Sequence, residues 1–106
     1  MKKFVNEVDN ILSESLIGFG KAHSDIINVN LSPDFVSRKN KPNKDKVSLI
    51  SGGGSGHEPL HGGFVGYGML DAACPGQVFS APTPDQMEAA SNEVYNNKGI
   101  LFIVKN

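Results

Sequence analysis

The 106-residue sequence has no tryptophan, only two tyrosines and a single cysteine, Cys74. One cysteine excludes an internal disulfide framework and fits a reducing cytoplasm. Nothing beside Cys74 in the sequence would lower its pKa, so it reads as a small buried core residue and not as a nucleophile. An excess of charge of one sign is also lacking. Ten basic residues against 11 acidic ones leave a formal net charge of −1, which gives no electrostatic case for nucleic acid or an anionic membrane as a partner. Long hydrophobic runs are missing: the longest, Ile100 to Val104, falls far short of a membrane span. Lys2 and Lys3 resemble the head of a signal peptide, but Asn6, Glu7, Asp9 and Asn10 interrupt any apolar segment behind them. These absences predict a soluble, cytoplasmic chain of at most one domain, able to bury roughly 60–65% of its unfolded surface.

Glycine is what the sequence has in plenty, and it is concentrated. Eight of the 12 glycines lie between Gly52 and Gly68, in the run VSLISGGGSGHEPLHGGFVGYGM that begins at Val47. The apolar residues Val47, Leu49 and Ile50 predict a buried strand that stops at Ser51. Gly52, Gly53, Gly54 and Gly56 then predict a loop with almost no side chains, where a ligand can approach the main chain closely. Pro59 suits the first position of a helix, because its missing N–H would be unpaired there anyway. A loop entering a helix in this way leaves outward amides for a phosphate, carboxylate or hydroxyl oxygen. A flexible linker is the plainer reading of a Gly/Ser-rich segment, but linkers are seldom joined directly to an apolar strand and a histidine.

The remaining chain is read in order. Val5, Val8, Leu12, Leu16 and Phe19 step by three or four, predicting an amphipathic helix from Phe4 to about Ala22, with His23 just past its end. Ile26 to Val29 and Phe35 to Ser37 predict a small hairpin or edge pair across Leu31-Ser32-Pro33-Asp34. Arg38 to Lys46 carries five basic residues and reads as a solvated connector in preference to a binding patch. Leu60, Phe64, Val65 and Tyr67 could line a helix or helical turn weakened by its glycines. Pro75-Gly76 predicts a turn and Val78-Phe79-Ser80 a short strand. Thr83-Pro84-Asp85-Gln86 spells a helix start with Thr as N-cap and Gln at the capping-box position; Met87, Ala90, Val94 and Tyr95 would face inward. Asn97 and Gly99 stop that helix. Ile100 to Val104 has the continuous pattern of a strand covered on both faces.

The second half therefore alternates β, loop, helix, β, helix, β, the pattern of an α/β fold with a mostly parallel sheet and flanking helices. Ligands of such sheets bind at the carboxyl ends of strands, where Ser51 onward, Ser80-Ala81-Pro82 and Lys105-Asn106 would converge. An apolar strand so near the end of the sequence, with no helix after it, predicts an incomplete sheet: a piece of a longer protein, or one finished by another chain.

Several familiar motifs nearly match. Gly53-Gly54-Ser55-Gly56-His57 fails the nucleophile elbow because its fifth residue is His. No Lys follows the glycines as a phosphate-binding loop requires, and His57 and Pro59 break the dinucleotide pattern. His57-Glu58-Pro59-Leu60-His61 is a literal H-E-x-x-H, the zinc-hydrolase motif, which needs both histidines on one regular helix. Glycines on both sides and Pro59 inside it argue against that helix, so a zinc site is not expected. His57 reads better as an acid–base or hydrogen-bonding group beside exposed amides, or as a residue closing the loop onto backbone. Glu58 caps the expected helix or pairs locally.

The run SGGGSGHEPLHGGFVGYGMLDAACPGQVFSAPTPDQ, with the opening MKKFVNEVDNIL and the closing ILFIVKN, resembles the N-terminal part of the substrate-binding subunits of dihydroxyacetone kinases, the DhaK family. The likeness runs through essentially the whole chain. It implies an α/β subunit, homodimeric and cytoplasmic, that binds dihydroxyacetone for phosphorylation to dihydroxyacetone phosphate. The triose would be held as a hemiaminal on a histidine beyond Asn106, and a catalytic aspartate would follow the Lys-Asn pair. The phosphoryl group would come from a DhaL-type partner subunit linked to the phosphoenolpyruvate phosphotransferase system. No cofactor is implied on this chain itself; ADP, or ATP with magnesium, would sit on the partner. Gly54, Ser55, Gly56 and His57 match the substrate-contacting loop, with His57 as proton acceptor, and Lys105 matches a further substrate-site position. The alternative within the resemblance is a non-catalytic paralogue that senses dihydroxyacetone and acts with a transcription regulator.

Overall fold

The computed structural model describes residues 2–40 and 45–105. Strands β1 (Ile27–Asn30), β2 (Phe35–Arg38), β3 (Ser48–Ser55), β4 (Ala72–Val78) and β5 (Ile100–Val104) form one five-stranded mixed sheet in the order β1-β2-β4-β3-β5. β3 runs parallel to both β4 and β5, and these three make the α/β part. The predicted hairpin is present: β1 and β2 pair antiparallel, with Ile27 opposite Arg38, and β2 joins the sheet antiparallel to β4.

Helices α1 (Ile11–Ala22) and α2 (Pro84–Val94) cover the two faces. Because side chains alternate along a strand, neighbouring residues serve different cores. Val36 and Ala73 pack with Leu12, Leu16, Ile27 and Val65 under α1, while Phe35, Ile50, Ala72 and Cys74 pack with Ala90 and Val94 under α2. Ile50 is fully buried, worth about 1.5–3 kcal/mol relative to exposure, and truncating it to alanine would cost about 2–5 kcal/mol. Burial pushes the Cys74 thiol up to about 12, which makes it inert, as expected of a core residue.

The start of α2 is as read. The Thr83 hydroxyl accepts from the Gln86 N–H while the Thr83 N–H donates 2.9 Å to the Gln86 side chain. Gln86 also reaches inward, donating to the Asp34 and Pro75 carbonyls at 2.8 and 2.6 Å, so the cap ties the helix to β4. Tyr95, expected to face inward, is instead exposed, because α2 ends at Val94 and the chain turns at Asn97 with φ 74.

Other expectations are corrected. α1 begins at Ile11, after a short 3₁₀ turn at Val8–Asn10, and leaves Phe4, Val5 and Val8 exposed. β3 does not stop at Ser51; it runs on through Gly52, Gly53 and Gly54 to Ser55, because β5 pairs with it as far as Gly52 and β4 as far as Ser55. Pro75-Gly76 is not a turn but lies inside β4, which ends at Val78, with Phe79 and Ser80 in the turn after it. No helix starts at Pro59. Residues 58 to 61 form turns that lead into a 3₁₀ turn at Gly62–Phe64, as the poor helix propensity of glycine favours.

Arg38 and Lys46, at the two ends of the basic stretch, are not merely solvated. Both pair with the fully buried carboxylate of Asp71, Arg38 at 3.2 Å, and the Leu49 N–H donates to the same group at 2.8 Å. Residues 41–44 of that connector and Asn106 lie outside the described residues. Finally, β5 is not covered on both faces. It pairs only with β3, and Leu101 to Val104 are 45–65% exposed among the described residues.

Candidate functional site

The carboxyl ends of the three parallel strands open onto one cavity of about 410 Å³. Gly52, Gly53 and Gly54 of β3 form its floor, Phe79 to Pro82 after β4 form one wall, and Met87 of α2, Val104 and Lys105 close it. His57 reaches in from the turn after β3. The expected convergence of three strand ends is thus present, as the position of sites in parallel sheets leads one to expect.

Of the residues singled out from sequence, Gly54, His57 and Lys105 line this cavity together. Ser55 is buried, with its hydroxyl donating 2.7 Å to the Gly76 carbonyl on β4, and it does not line the cavity. Gly56 does not line the cavity either; its backbone lies against the Phe79 ring. Glu58 pairs locally, accepting from the Gly56 N–H at 2.9 Å.

The glycines act in two different ways. Gly54 is extended within β3, and what it supplies is space: a Cβ there would lie 2.7 Å from the Ser80 nitrogen and 3.0 Å from the Phe79 carbonyl carbon. The turn after β4 can pack onto the strand only because nothing projects from it. Gly56, by contrast, has φ +110, a conformation that a side chain strains.

His57 and His61 lie in the turns after β3 and not on a shared helix, so the zinc-hydrolase geometry is not formed. Among the described residues no three His, Cys, Asp or Glu side chains are placed to share a metal ion. His57 instead packs edge-on against Phe79, with ring centroids 5.2 Å apart at 70°.

Sequence reasoning missed His61 as a separate element of this region. Its Nδ1 lies 2.7 Å from the Ser51 hydroxyl, whose only proton goes 2.7 Å to the Ile103 carbonyl. A carbonyl can only accept, so this network assigns the proton on His61 to Nδ1 and leaves Nε2 as a bare acceptor. Nε2 is buried against Gly53 and has no hydrogen-bond partner among the described residues. Burial, then the charges of Lys105 and His57, hold the His61 imidazole below its ordinary pKa, favouring the neutral ring. The signal in the sequence was the H-E-x-x-H pattern itself, which pointed to zinc.

Comparison with known proteins bears on the family and the fold. The Dak1 domain model matches residues 17–106. The Escherichia coli (strain K12) PEP-dependent dihydroxyacetone kinase, dihydroxyacetone-binding subunit DhaK, is 46% identical over 106 residues, covering 100% of this chain and 30% of that protein. Among solved structures, the dihydroxyacetone kinase from C. freundii in complex with AMP-PNP and Mg2+ superposes with a TM-score of 0.89 at 39% identity. That match covers 99% of this chain and 20% of the solved one. The dihydroxyacetone kinase operon co-activator Dha-DhaQ superposes with a TM-score of 0.77 at 37% identity, over 95% of this chain and 30% of that one. The chain spans less than a third of the length of each of these relatives.

Proposed function

Since the chain belongs to the Dak1 domain family, we propose that it is the N-terminal part of the dihydroxyacetone-binding subunit of a dihydroxyacetone kinase. The cavity at the strand ends would hold the triose. One observation carries this reading: Gly54 and His57, three residues apart, line a single cavity at the carboxyl ends of β3, β4 and β5 with Lys105, which is distant from both in sequence. Glycine backbone there allows a small polyol to lie against the main chain, the imidazole can accept a hydroxyl proton near neutral pH, and the ammonium favours negative charge beside it.

In the reaction proposed, a hydroxyl oxygen of dihydroxyacetone attacks the phosphorus of the donor. The new O–P bond forms as the bond from phosphorus to the leaving oxygen breaks, and His57 takes the hydroxyl proton. Positioning and proton removal are the two contributions asked of these residues. The nucleotide, ADP rephosphorylated in place through the phosphoenolpyruvate phosphotransferase system, or ATP with magnesium, belongs in this proposal to a DhaL-type partner. The covalent histidine and the aspartate implied by the resemblance would lie beyond Asn106. A homodimeric, cytoplasmic subunit completes the reading.

The test uses the full-length protein with its partner and phosphoryl donor. His57→Asn is expected to lower turnover about 10²-fold or more while thermal melting is unchanged; wild-type turnover in this variant would remove the assigned role. A sensing paralogue is the second reading, favoured by the likeness to the co-activator Dha-DhaQ. A full-length protein that binds the triose, fails to phosphorylate it with any partner and associates with a transcription regulator would decide for it.

A further inference from the structure

We propose that Phe79 is a positioning residue for His57, holding the imidazole in the plane that faces the cavity and screening one side of it from water. The turnover arm of the test below rests on the function proposed above; the spectroscopic arm does not.

Phe79 is hard to explain as part of the fold. Its side chain is 71% exposed, so it adds little to either core. Its backbone has φ 53, a left-handed conformation that residues with a Cβ seldom adopt. Strain of this kind persists only where the surroundings enforce it, and it collects at functional sites. The surroundings here do enforce it. The Phe79 N–H donates 2.7 Å to the Ser55 carbonyl, and the next N–H, from Ser80, donates 2.9 Å to Gln77. Gly54 leaves room for the backbone of both residues, and Gly56 leaves room for the ring, where a Cβ would come within 2.7 Å of Cε1.

The outcome is a ring set between Gly56 and His57. It meets the imidazole edge-on, with centroids 5.2 Å apart at 70°, inside the range that aromatic pairs prefer. His57 sits in a turn and not on a regular element, so this contact limits its rotation. Both residues line the cavity. A proton acceptor must be held in line with the hydroxyl it serves, and a small misplacement is enough to slow the reaction severely.

Three variants of the full-length protein test this. Phe79→Leu keeps apolar bulk and loses the ring; Phe79→Tyr keeps the ring; Phe79→Gly removes the side chain and relieves the backbone. In NMR spectra the carbon-bound protons of the His57 ring are expected to carry a ring-current displacement in wild type and Phe79→Tyr that is absent in Phe79→Leu. With partner and donor, kcat is expected to fall about ten-fold or more in Phe79→Leu with a smaller change in KM, and to be restored in Phe79→Tyr. Phe79→Gly is expected to melt at the wild-type temperature or above while losing kcat as Phe79→Leu does, which a purely structural role would not produce. Unchanged His57 resonances, or wild-type kcat in Phe79→Leu, would overturn the proposal. If wild type itself does not phosphorylate dihydroxyacetone, the functional reading falls, and the His57 resonances still decide the positioning role.

Discussion

The two halves of β3 are built on opposite plans. From Ser48 to Ser51 the strand is held by what it carries: the Ser48 hydroxyl donates 2.6 Å to the Val94 carbonyl, Ile50 fills the core under α2, and Ser51 joins His61 to β5. From Gly52 to Gly54 it is held by what it gives up. The positions where side chains would stand are occupied by atoms from elsewhere, including the Cys74 carbonyl, the Met87 sulfur, the His61 ring and the Ser80 nitrogen. One strand thus changes along its length from a scaffold that side chains stabilise to a floor that side chains would obstruct. Removing atoms should damage the first half, and adding them should damage the second.

The largest effect is expected where the first half is anchored. Asp71→Ala takes away the carboxylate that receives Arg38, Lys46 and the Leu49 N–H. Breaking a buried pair in this way should cost about 3–5 kcal/mol, read as a lowered urea midpoint. A loss under 1 kcal/mol would mean that the anchor contributes little.

Gly54→Ala addresses the second half. The methyl group meets backbone and not a movable side-chain tip, so the strand or the 79–82 turn must shift, at about 1–3 kcal/mol. Titration of the full-length protein with dihydroxyacetone should show binding weakened far more than that stability loss suggests. Equal, modest losses in both would blur the contrast between the halves.

The smallest effect is one of pH at the junction between the halves. The folded state favours neutral His61, and the unfolded chain takes up the proton more readily, near the ordinary value of 6.5. The unfolded state therefore binds more protons as pH falls, and stability is complete above pH 6.5 and declines below it. His61→Asn should flatten that decline in a series of denaturation midpoints; identical slopes in both proteins would show that His61 does not contribute.

The same contrast explains what could be read from the sequence. The start of α2 was legible to the residue, because Thr83, Pro84 and Gln86 act through bonds within one turn of each other. The β1–β2 hairpin and the buried Cys74 follow from local pattern in the same way. The glycine half of β3 was not legible as strand, since glycine weakens a strand and its pairing here is imposed by β4, with β5 reaching only Gly52. Pro75 and Gly76 read as a turn for the same reason. Of the site, His57 and the glycines stood out by composition, whereas Phe79, like Asp71 in the scaffold, owes its role to partners about 20 or more residues away. No spacing rule within a single segment could have found them.

Asp71 has one more implication, for engineering. By gripping Arg38 at the end of β2 and Lys46 just before β3, a single carboxylate fixes both banks of the connector whatever its length. Lengthening a loop between fixed ends costs only about 0.6 kcal/mol for each doubling. A reporter peptide or a short tether spliced in after Lys39 should therefore leave the strand register undisturbed, at a place remote in sequence from His57 and Lys105.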